Sequence, residues 1–344
     1  MISLHYIISI LFFQLYKTER IFYTIFILYL SLVTSYISFN YSRDSLNYIN
    51  AFSFQTDNLF DNIAFLEPSF ILISKLLLTV GLDAFYLFLT YSLISISIKI
   101  YVISKYSKLP LLSFVFYLSY FYLLQDCTQI RISTAIAFFL ISLIYFSKNK
   151  IFKANIFLFI ASLFHYSALI LFIFNFINSG KYNTKMYYLI LITTVTLYTM
   201  NISIINIIIS NSAFLESFQI FHKLIYYATQ TEVTGNKISI INAKTLLMML
   251  IVSFILFYNQ KLNLNKFEIL SFKSVFMALI LYILFIDLPQ LAVRISELLM
   301  FPLIFLVPSI FKVLKYSHFI FMSVLLFLYM YFSYYIYIQK IFNL

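Results

Sequence analysis

The sequence is poor in the residues that a water-soluble protein of its size needs. Only 10% of its 344 residues are charged, and it contains three glycines and five prolines. A soluble domain carries roughly 25% charged residues. So few charges cannot cover a water-facing surface, and so few turn residues do not suit one large soluble core. These shortages exclude a soluble enzyme.

Cysteine and the familiar site motifs are equally scarce. The single cysteine, Cys127, excludes a disulfide within the chain and a metal site built on a CxxC pair. The sequence has no Gly-rich phosphate loop, no HExxH and no GxSxG. We therefore expect neither a metal nor a cofactor. The net charge of +11 comes from basic residues scattered between apolar runs, so we expect no nucleic-acid partner.

Long apolar runs take up most of the chain. The composition is 63% hydrophobic, and the mean hydropathy is +0.96. The runs are continuous rather than alternating ten-residue strands, which favours helices over a β-barrel. Because a helix needs about 20 apolar residues to cross a bilayer, we predict an all-α, polytopic integral membrane helical bundle of about 10–13 transmembrane or re-entrant helices. We predict a single membrane domain over residues 1–344. The runs lie near 2–16, 21–39, 69–82, 84–104, 109–124, 132–147, 151–177, 186–209, 243–258, 272–288, 295–313 and 317–338.

The distribution of lysine and arginine predicts the orientation of the chain. Cytoplasmic loops carry an excess of basic residues, and this places the two long polar stretches, 40–68 and 210–242, outside. For the number of bilayer crossings to agree with these loop positions, two segments must not cross the membrane in the ordinary way. Run 69–82 is predicted to be re-entrant or interfacial, and run 151–177 to be interrupted at His165. Irregular backbone at membrane depth needs surrounding protein or a wet cavity, so both breaks indicate a cavity that opens outward.

Three of the four arginines fall on the predicted outer side, although lysine outnumbers arginine 19 to 4. They are Arg43, Arg131 and Arg294. A guanidinium offers a planar, permanently charged fork that suits phosphate, so this grouping suggests a diphosphate site. The alternative is that these side chains are interfacial anchors that extend to water.

Three further residues are candidates for proton transfer. Asp44 and Glu67 lie in the first outer loop, and His165 interrupts an otherwise apolar run. Carboxylates and imidazoles are the usual general bases. The alternatives remain open: Glu67-Pro68 is also a helix-start signal, and a lone histidine is often a hydrogen-bonded packing residue.

Four short motifs, taken in order, resemble those of the EpsG-type polysaccharide polymerases, relatives of the Wzy O-antigen polymerases. Each motif is weak alone, and their order over residues 40–302 carries the resemblance. The motifs are Asp44-x-x-x-Tyr48 with Glu67-Pro68-Ser69-Phe70, Gln129-Ile130-Arg131 followed by Ala135 and Ala137, Leu163 to Ile170 around His165, and Arg294 with Pro302.

The resemblance implies a multi-pass enzyme of the bacterial inner (cytoplasmic) membrane. Such a glycosyltransferase moves a growing glycan from undecaprenyl diphosphate to a lipid-linked repeat unit at the outer face. Its partners are the undecaprenyl-diphosphate-linked oligosaccharide and the bilayer, together with a flippase and a chain-length regulator. The product is capsule, exopolysaccharide or O-antigen. Two other functions stay open: a flippase or transporter of the same lipid-linked oligosaccharide, and a non-catalytic scaffold of an envelope complex.

The resemblance also implies a role for each candidate residue. Arg131 and Arg294 would bind the diphosphate, with Arg43 assisting. The base would be His165 or one of the two carboxylates. The two carboxylates are those of Asp44 and Glu67. Gln129 and Tyr48 would bind the substrate.

Overall fold

The computed structural model describes residues 7–11, 13, 20–53, 66–180, 182–200, 239–313 and 327. Within these residues the chain forms helices and no strands, which confirms the predicted all-α fold. In the part of the chain that the structure describes, four helices are long and apolar enough to cross a membrane, and a fifth span is counted if one broken pair forms a single crossing. The protein is therefore a polytopic helical membrane protein. Most of runs 2–16 and 317–338 lies outside the described residues.

The chain forms two compact units. The first comprises residues 1–177 and 307–344, and the second comprises residues 178–306.

Helix α4 is the centre of the first unit. It packs against α1, α2, α3, α5 and α6, and α6 packs along α7. The elements of this unit are α1 (Arg20–Tyr41), α2 (Ser45–Ser53), α3 (Pro68–Thr79), α4 (Ala84–Tyr106), α5 (Pro110–Phe116), a π-helix (Tyr117–Asp126), α6 (Ile130–Ser147), α7 (Ile151–Phe164) and a 3-10 helix (Tyr166–Phe176).

Proline and glycine set the ends of α3. Pro68 occupies its first turn, where the missing N–H costs nothing. After the helix ends, Gly81 takes a positive φ of 77°, which glycine adopts without strain. The next helix, α4, begins where the Asp83 carboxylate accepts a hydrogen bond from the backbone N–H of Phe85 (3.0 Å). With 12 residues, α3 is about 18 Å long and too short to cross a bilayer core of about 30 Å.

Two predicted runs are interrupted in the first unit. Run 109–124 forms α5 and then changes to the ten-residue π-helix. Run 151–177 breaks at His165, as predicted, because this residue has an extended backbone (φ −156°, ψ 121°) between α7 and the 3-10 helix. Long π-helices are rare and are found most often near functional sites.

Helix α11 is the centre of the second unit and packs against α8, α9 and α12. Asparagine caps begin two of its helices: Asn242 and Thr245 form a capping box at α9, and Asn265 and Glu268 form one at α11. The elements of this part of the chain are α8 (Thr184–Thr199), α9 (Ala243–Phe257), α10 (Asn259–Leu262), α11 (Lys266–Leu284), α12 (Pro289–Met300) and α13 (Leu303–Val313), the last of which contains the boundary between the units.

The predicted outer loops are only partly described. Stretch 40–68 contains α2, and residues 54–65 lie outside the described part. Of stretch 210–242 the structure describes only residues 239–242, which lead into the cap of α9.

Candidate functional site

Three residues that the sequence singled out meet in the first unit. Glu67 immediately precedes α3, Arg131 lies in the first turn of α6, and His165 is the extended residue after α7. Glu67 is separated from Arg131 by 64 positions in the chain and from His165 by 98. Packing of α3 and α6 on α4, and of α3 on α7, brings them together. We call these three residues the outer cluster.

Glu67 is the bridging member of the outer cluster. Its Oε1 atom lies 2.8 Å from Nδ1 of His165, and its Oε2 atom accepts a hydrogen bond from Nη1 of Arg131. The side chain of Glu67 is 6% exposed, compared with 15% for His165 and 25% for Arg131. Both carboxylate oxygens are therefore occupied, while the histidine and arginine retain access to the surface.

The two partners keep Glu67 ionised. Burial raises the pKa of this carboxyl, but the hydrogen bond from His165 and the charge on Arg131 outweigh burial and lower the pKa from 4.5 to about 2. A carboxylate that stays charged at every physiological pH is a weak proton acceptor. Glu67 is suited to hold the other two side chains rather than to take up a proton.

The carboxylate of Glu67 does not cap α3. The residue occupies the N-cap position with an extended backbone, but its side chain makes no cap hydrogen bond. The helix-start signal in Glu67-Pro68 is thus correct for the backbone, and it does not account for the side chain.

Arg131 lies between aromatic rings. Its Cζ atom is 5.2 Å from the centre of the Tyr48 ring and 5.7 Å from that of the Phe70 ring, within the range of cation–π attraction. Its Nε atom is buried and has no acceptor among the residues that the structure describes. An unpaired buried donor costs roughly 1–3 kcal/mol, and an anionic oxygen bound here would relieve that cost.

Tyr48 closes one side of the outer cluster. Its ring is buried against Phe70 and Phe88. Burial raises the pKa of its hydroxyl, the charge on Arg131 opposes this effect, and the charge on Asp44 adds to it. The hydroxyl is therefore a neutral hydrogen-bonding group. The substrate-binding role that the sequence resemblance implies for Tyr48 stays a prediction.

Arg43 and Asp44 pair with each other in the turn between α1 and α2. Nε of Arg43 lies 3.9 Å from Oδ1 of Asp44, and more than half of the arginine side chain is exposed. An exposed pair of this kind contributes little to stability. Asp44 also begins α2, because its carbonyl accepts the N–H of Tyr48 (3.3 Å).

The other two predicted residues occupy different settings. Gln129 precedes α6, where its carbonyl accepts the N–H of Ser133 (3.0 Å), so it lies two residues from Arg131. Arg294 is exposed on α12 in the second unit.

The first unit contains a second charged group, which was not predicted from the sequence. Lys99 on α4 and Asp126 at the end of the π-helix form a fully buried ion pair, with Nζ and Oδ2 2.8 Å apart. We call this pair and the hydroxyl residues bonded to it the inner network. An ionised residue within a membrane span is costly and usually functional, so the lysine inside the apolar run 84–104 was the signal that could have revealed it. The hydroxyl residues are Ser95, Tyr117 and Ser133.

The second unit contains a further buried cation. Nζ of Lys244 donates to Oγ of Ser296 (2.8 Å), lies 4.0 Å from the carboxylate of Glu297 and sits 4.7 Å from the centre of the Tyr282 ring. The sequence analysis did not single out Lys244.

The described residues contain no group of three histidine, cysteine, aspartate or glutamate side chains that could hold a metal ion.

A family model described as the EpsG family matches residues 4–343, which is nearly the whole chain. No curated protein and no solved structure matches the chain.

Proposed function

The chain belongs to the EpsG family, and from that premise we propose that it is a bacterial polysaccharide polymerase. Family membership indicates a polymerase-like role in polysaccharide synthesis for this multi-pass membrane protein. In the proposed reaction, the growing glycan moves from undecaprenyl diphosphate to a lipid-linked repeat unit at the outer face of the inner membrane.

The observation that supports this proposal is the double contact of Glu67. One carboxylate holds an imidazole through Nδ1 and a guanidinium through Nη1. Glycosyl transfer from a lipid diphosphate needs a base for the acceptor hydroxyl and a positive group for the leaving phosphates. His165 and Arg131 supply these two groups side by side.

We assign the role of base to His165. With Nδ1 held by Glu67, Nε2 is the nitrogen that takes the proton of the acceptor hydroxyl. The hydroxyl oxygen then bonds to the anomeric carbon, and the bond from that carbon to the diphosphate oxygen breaks. The bonding electron pair leaves with the diphosphate, and Glu67 stabilises the imidazolium that forms, as the third member of a triad does.

We assign the diphosphate to Arg131. Its charge is fixed in a partly dehydrated site, where it stabilises developing negative charge more strongly than water would. The buried Nε without an acceptor in the described part of the chain provides a further donor for a phosphate oxygen. Tyr48 and Gln129 flank this position and are proposed to contact the substrate. Arg294 and Arg43 are proposed as additional diphosphate contacts.

Arginine-to-lysine variants test the proposal because they keep the charge and lose the planar fork. We expect Arg131→Lys and Arg294→Lys to lower polymerisation in isolated membranes by about 10²-fold or more, in line with loss of a preorganised donor. Arg20→Lys is the matched control, since the sequence places Arg20 on the cytoplasmic side, and it should polymerise at the wild-type rate. Wild-type rates for both Arg131→Lys and Arg294→Lys would remove the diphosphate assignment.

Analysis of lipid-linked glycans after deletion of the gene separates polymerase from flippase. Loss of a polymerase leaves single repeat units that still reach the outer leaflet. Loss of a flippase leaves those units inside, and that result would replace the proposed function.

A further inference from the structure

The inner network is centred on the carboxylate of Asp126. Oδ1 of Asp126 accepts hydrogen bonds from the hydroxyls of Ser95 and Ser133, both at 2.6 Å. Its Oδ2 atom accepts from Nζ of Lys99 and from the hydroxyl of Tyr117, both at 2.8 Å. All four donors come from three elements, α4, the π-helix and α6. The carboxylate is therefore saturated, and it ties these elements to one point.

Residues of the inner network lie immediately before and after the segment that contains Arg131. Asp126 is the last residue of the π-helix, and Ser133 lies in the first turn of α6. Ser133 also accepts a hydrogen bond from Nζ of Lys99 (2.6 Å). Residues 127–132 are thus anchored at both ends to α4. Because Arg131 lies within this short segment, its position follows from the two anchors.

Helix α4 also contacts residues that neighbour the other two members of the outer cluster in the chain. The hydroxyl of Tyr91 lies 3.1 Å from that of Ser69, two residues after Glu67. The Tyr91 ring packs edge-on against Phe164, which precedes His165, with centroids 5.5 Å apart. Helix α4 therefore contacts the segments that carry all three residues of the outer cluster.

A buried ion pair of this kind is a poor source of stability. Desolvating two charges costs about as much as their attraction returns, so an apolar pair would hold the helices together equally well. An apolar pair, however, lacks the directional hydrogen bonds that the ion pair makes. Nζ of Lys99 and Oγ of Ser133 join α4 directly to α6. Asp126 joins both helices to the π-helix, through Ser95 and Lys99 of α4 and through Ser133 of α6.

We propose that the inner network positions Arg131 for its partners, with Asp126, Lys99 and Ser133 acting as positioning residues. None of them contacts substrate in this proposal, and they act through the placement of the guanidinium. The role of Arg131 in the reaction rests on the proposed function, whereas the anchoring of residues 127–132 does not.

Two serines of α6 provide a matched test. Ser133→Ala removes a hydroxyl that links Asp126, Lys99 and Ser95. Ser142→Ala removes an equally buried hydroxyl that bonds the carbonyl of Phe139 on its own helix. We expect Ser133→Ala to lower kcat/KM for polymerisation by about 10- to 100-fold, because small displacements of a positioned group cost that much. Ser142→Ala should leave it unchanged.

Combination with Arg131→Lys distinguishes positioning from general damage. If the inner network acts through Arg131, Ser133→Ala produces no further loss in the Arg131→Lys background. A loss of the same factor in both backgrounds would overturn the proposal. Tyr117→Phe removes a second bond to Asp126 and should repeat the pattern of Ser133→Ala.

Amide hydrogen exchange gives a reading that does not depend on enzyme activity. In the purified full-length protein in detergent, residues 127–132 should exchange faster in Ser133→Ala than in the wild type and in Ser142→Ala. Unchanged exchange would overturn the anchoring role. Absence of polymerisation by the wild type would instead overturn the proposed function, and the exchange result would still decide whether the inner network holds this segment.

Discussion

The structure gives a different environment to each of the three residues that the sequence proposes as the base. Glu67 has both oxygens occupied and a pKa lowered to about 2. Asp44 is paired with Arg43 in an exposed turn. His165 is held at Nδ1, so its second nitrogen remains for the substrate. At the scale of single residues, these differences rank His165 first.

This ranking predicts different outcomes for two substitutions. His165→Ala should lower kcat by about 10²- to 10⁴-fold, the usual contribution of a general base. Asp44→Asn should stay within a few-fold of the wild type, since it alters an exposed pair. The measurement is polymer formation from lipid-linked repeat units by purified protein in nanodiscs. A large loss in Asp44→Asn together with an active His165→Ala would transfer the role of base to Asp44.

The ionisation of Glu67 predicts how stability depends on pH. A carboxyl whose pKa falls on folding stabilises the folded state above its unfolded pKa, and this stabilisation disappears as the pH falls through the folded pKa. For a change from 4.5 to about 2, about 3 kcal/mol is lost between pH 4.5 and pH 2. The stability of Glu67→Gln should therefore be less dependent on pH in this range than that of the wild type.

Thermal unfolding in detergent between pH 6 and pH 2 measures this difference. Asp44→Asn is the control, because it removes a carboxylate from an exposed pair and should follow the wild-type curve. Parallel curves for the wild type and Glu67→Gln would contradict the assigned ionisation.

The sequence identified the members of the outer cluster but not their contacts. Glu67, Arg131 and His165 attract notice because charged and titratable side chains are rare in so apolar a chain. Contact between them depends on how α3, α6 and α7 pack, since Glu67 is 64 positions from Arg131 and 98 positions from His165. The pairing of Arg43 with Asp44 was likewise not indicated by the residue pattern.

At the scale of elements, local signals predicted boundaries well. The break at His165 was predicted from the parity of the membrane crossings. The start of α3 at Pro68 follows from backbone chemistry that acts within a few residues. The change from α5 to the π-helix did not follow, because no proline or glycine marks it. The burial of Asp126 was not predicted either, because it depends on the pairing with Lys99 of α4.

The inner network makes a prediction about pairs of substitutions. Lys99→Met leaves the carboxylate of Asp126 buried without its counterion, which should cost about 3–5 kcal/mol of unfolding free energy. Lys99→Met combined with Asp126→Asn removes both charges and should recover most of that loss. Thermal unfolding of the purified variants in the same detergent measures both effects.

The paired variant also separates folding from activity. If the hydrogen bonds of the inner network direct α6, the paired variant folds like the wild type and still polymerises poorly. A single Lys99→Met variant as stable as the wild type would contradict the assignment of a buried ion pair.

At the scale of the whole molecule, the family match and the two units carry different information. The match covers residues 4–343 and so includes both units. The outer cluster and the inner network belong to the first unit, whereas Arg294 and Lys244 belong to the second. The activity of Arg294→Lys therefore reports whether the second unit contributes to the reaction.

The length of α7 sets how deep the chemistry lies. The helix has 14 residues and follows Lys150, which the charge pattern places at the cytoplasmic side. It rises at most about 21 Å, whereas the hydrocarbon layer is about 30 Å thick. With Lys150 at the cytoplasmic side, as the charge pattern predicts, His165 would lie beneath the plane of the outer headgroups. In the proposed reaction the sugar would then descend into the leaflet to reach His165, and the scarcity of bulk water there would favour transfer to a hydroxyl over hydrolysis of the carrier.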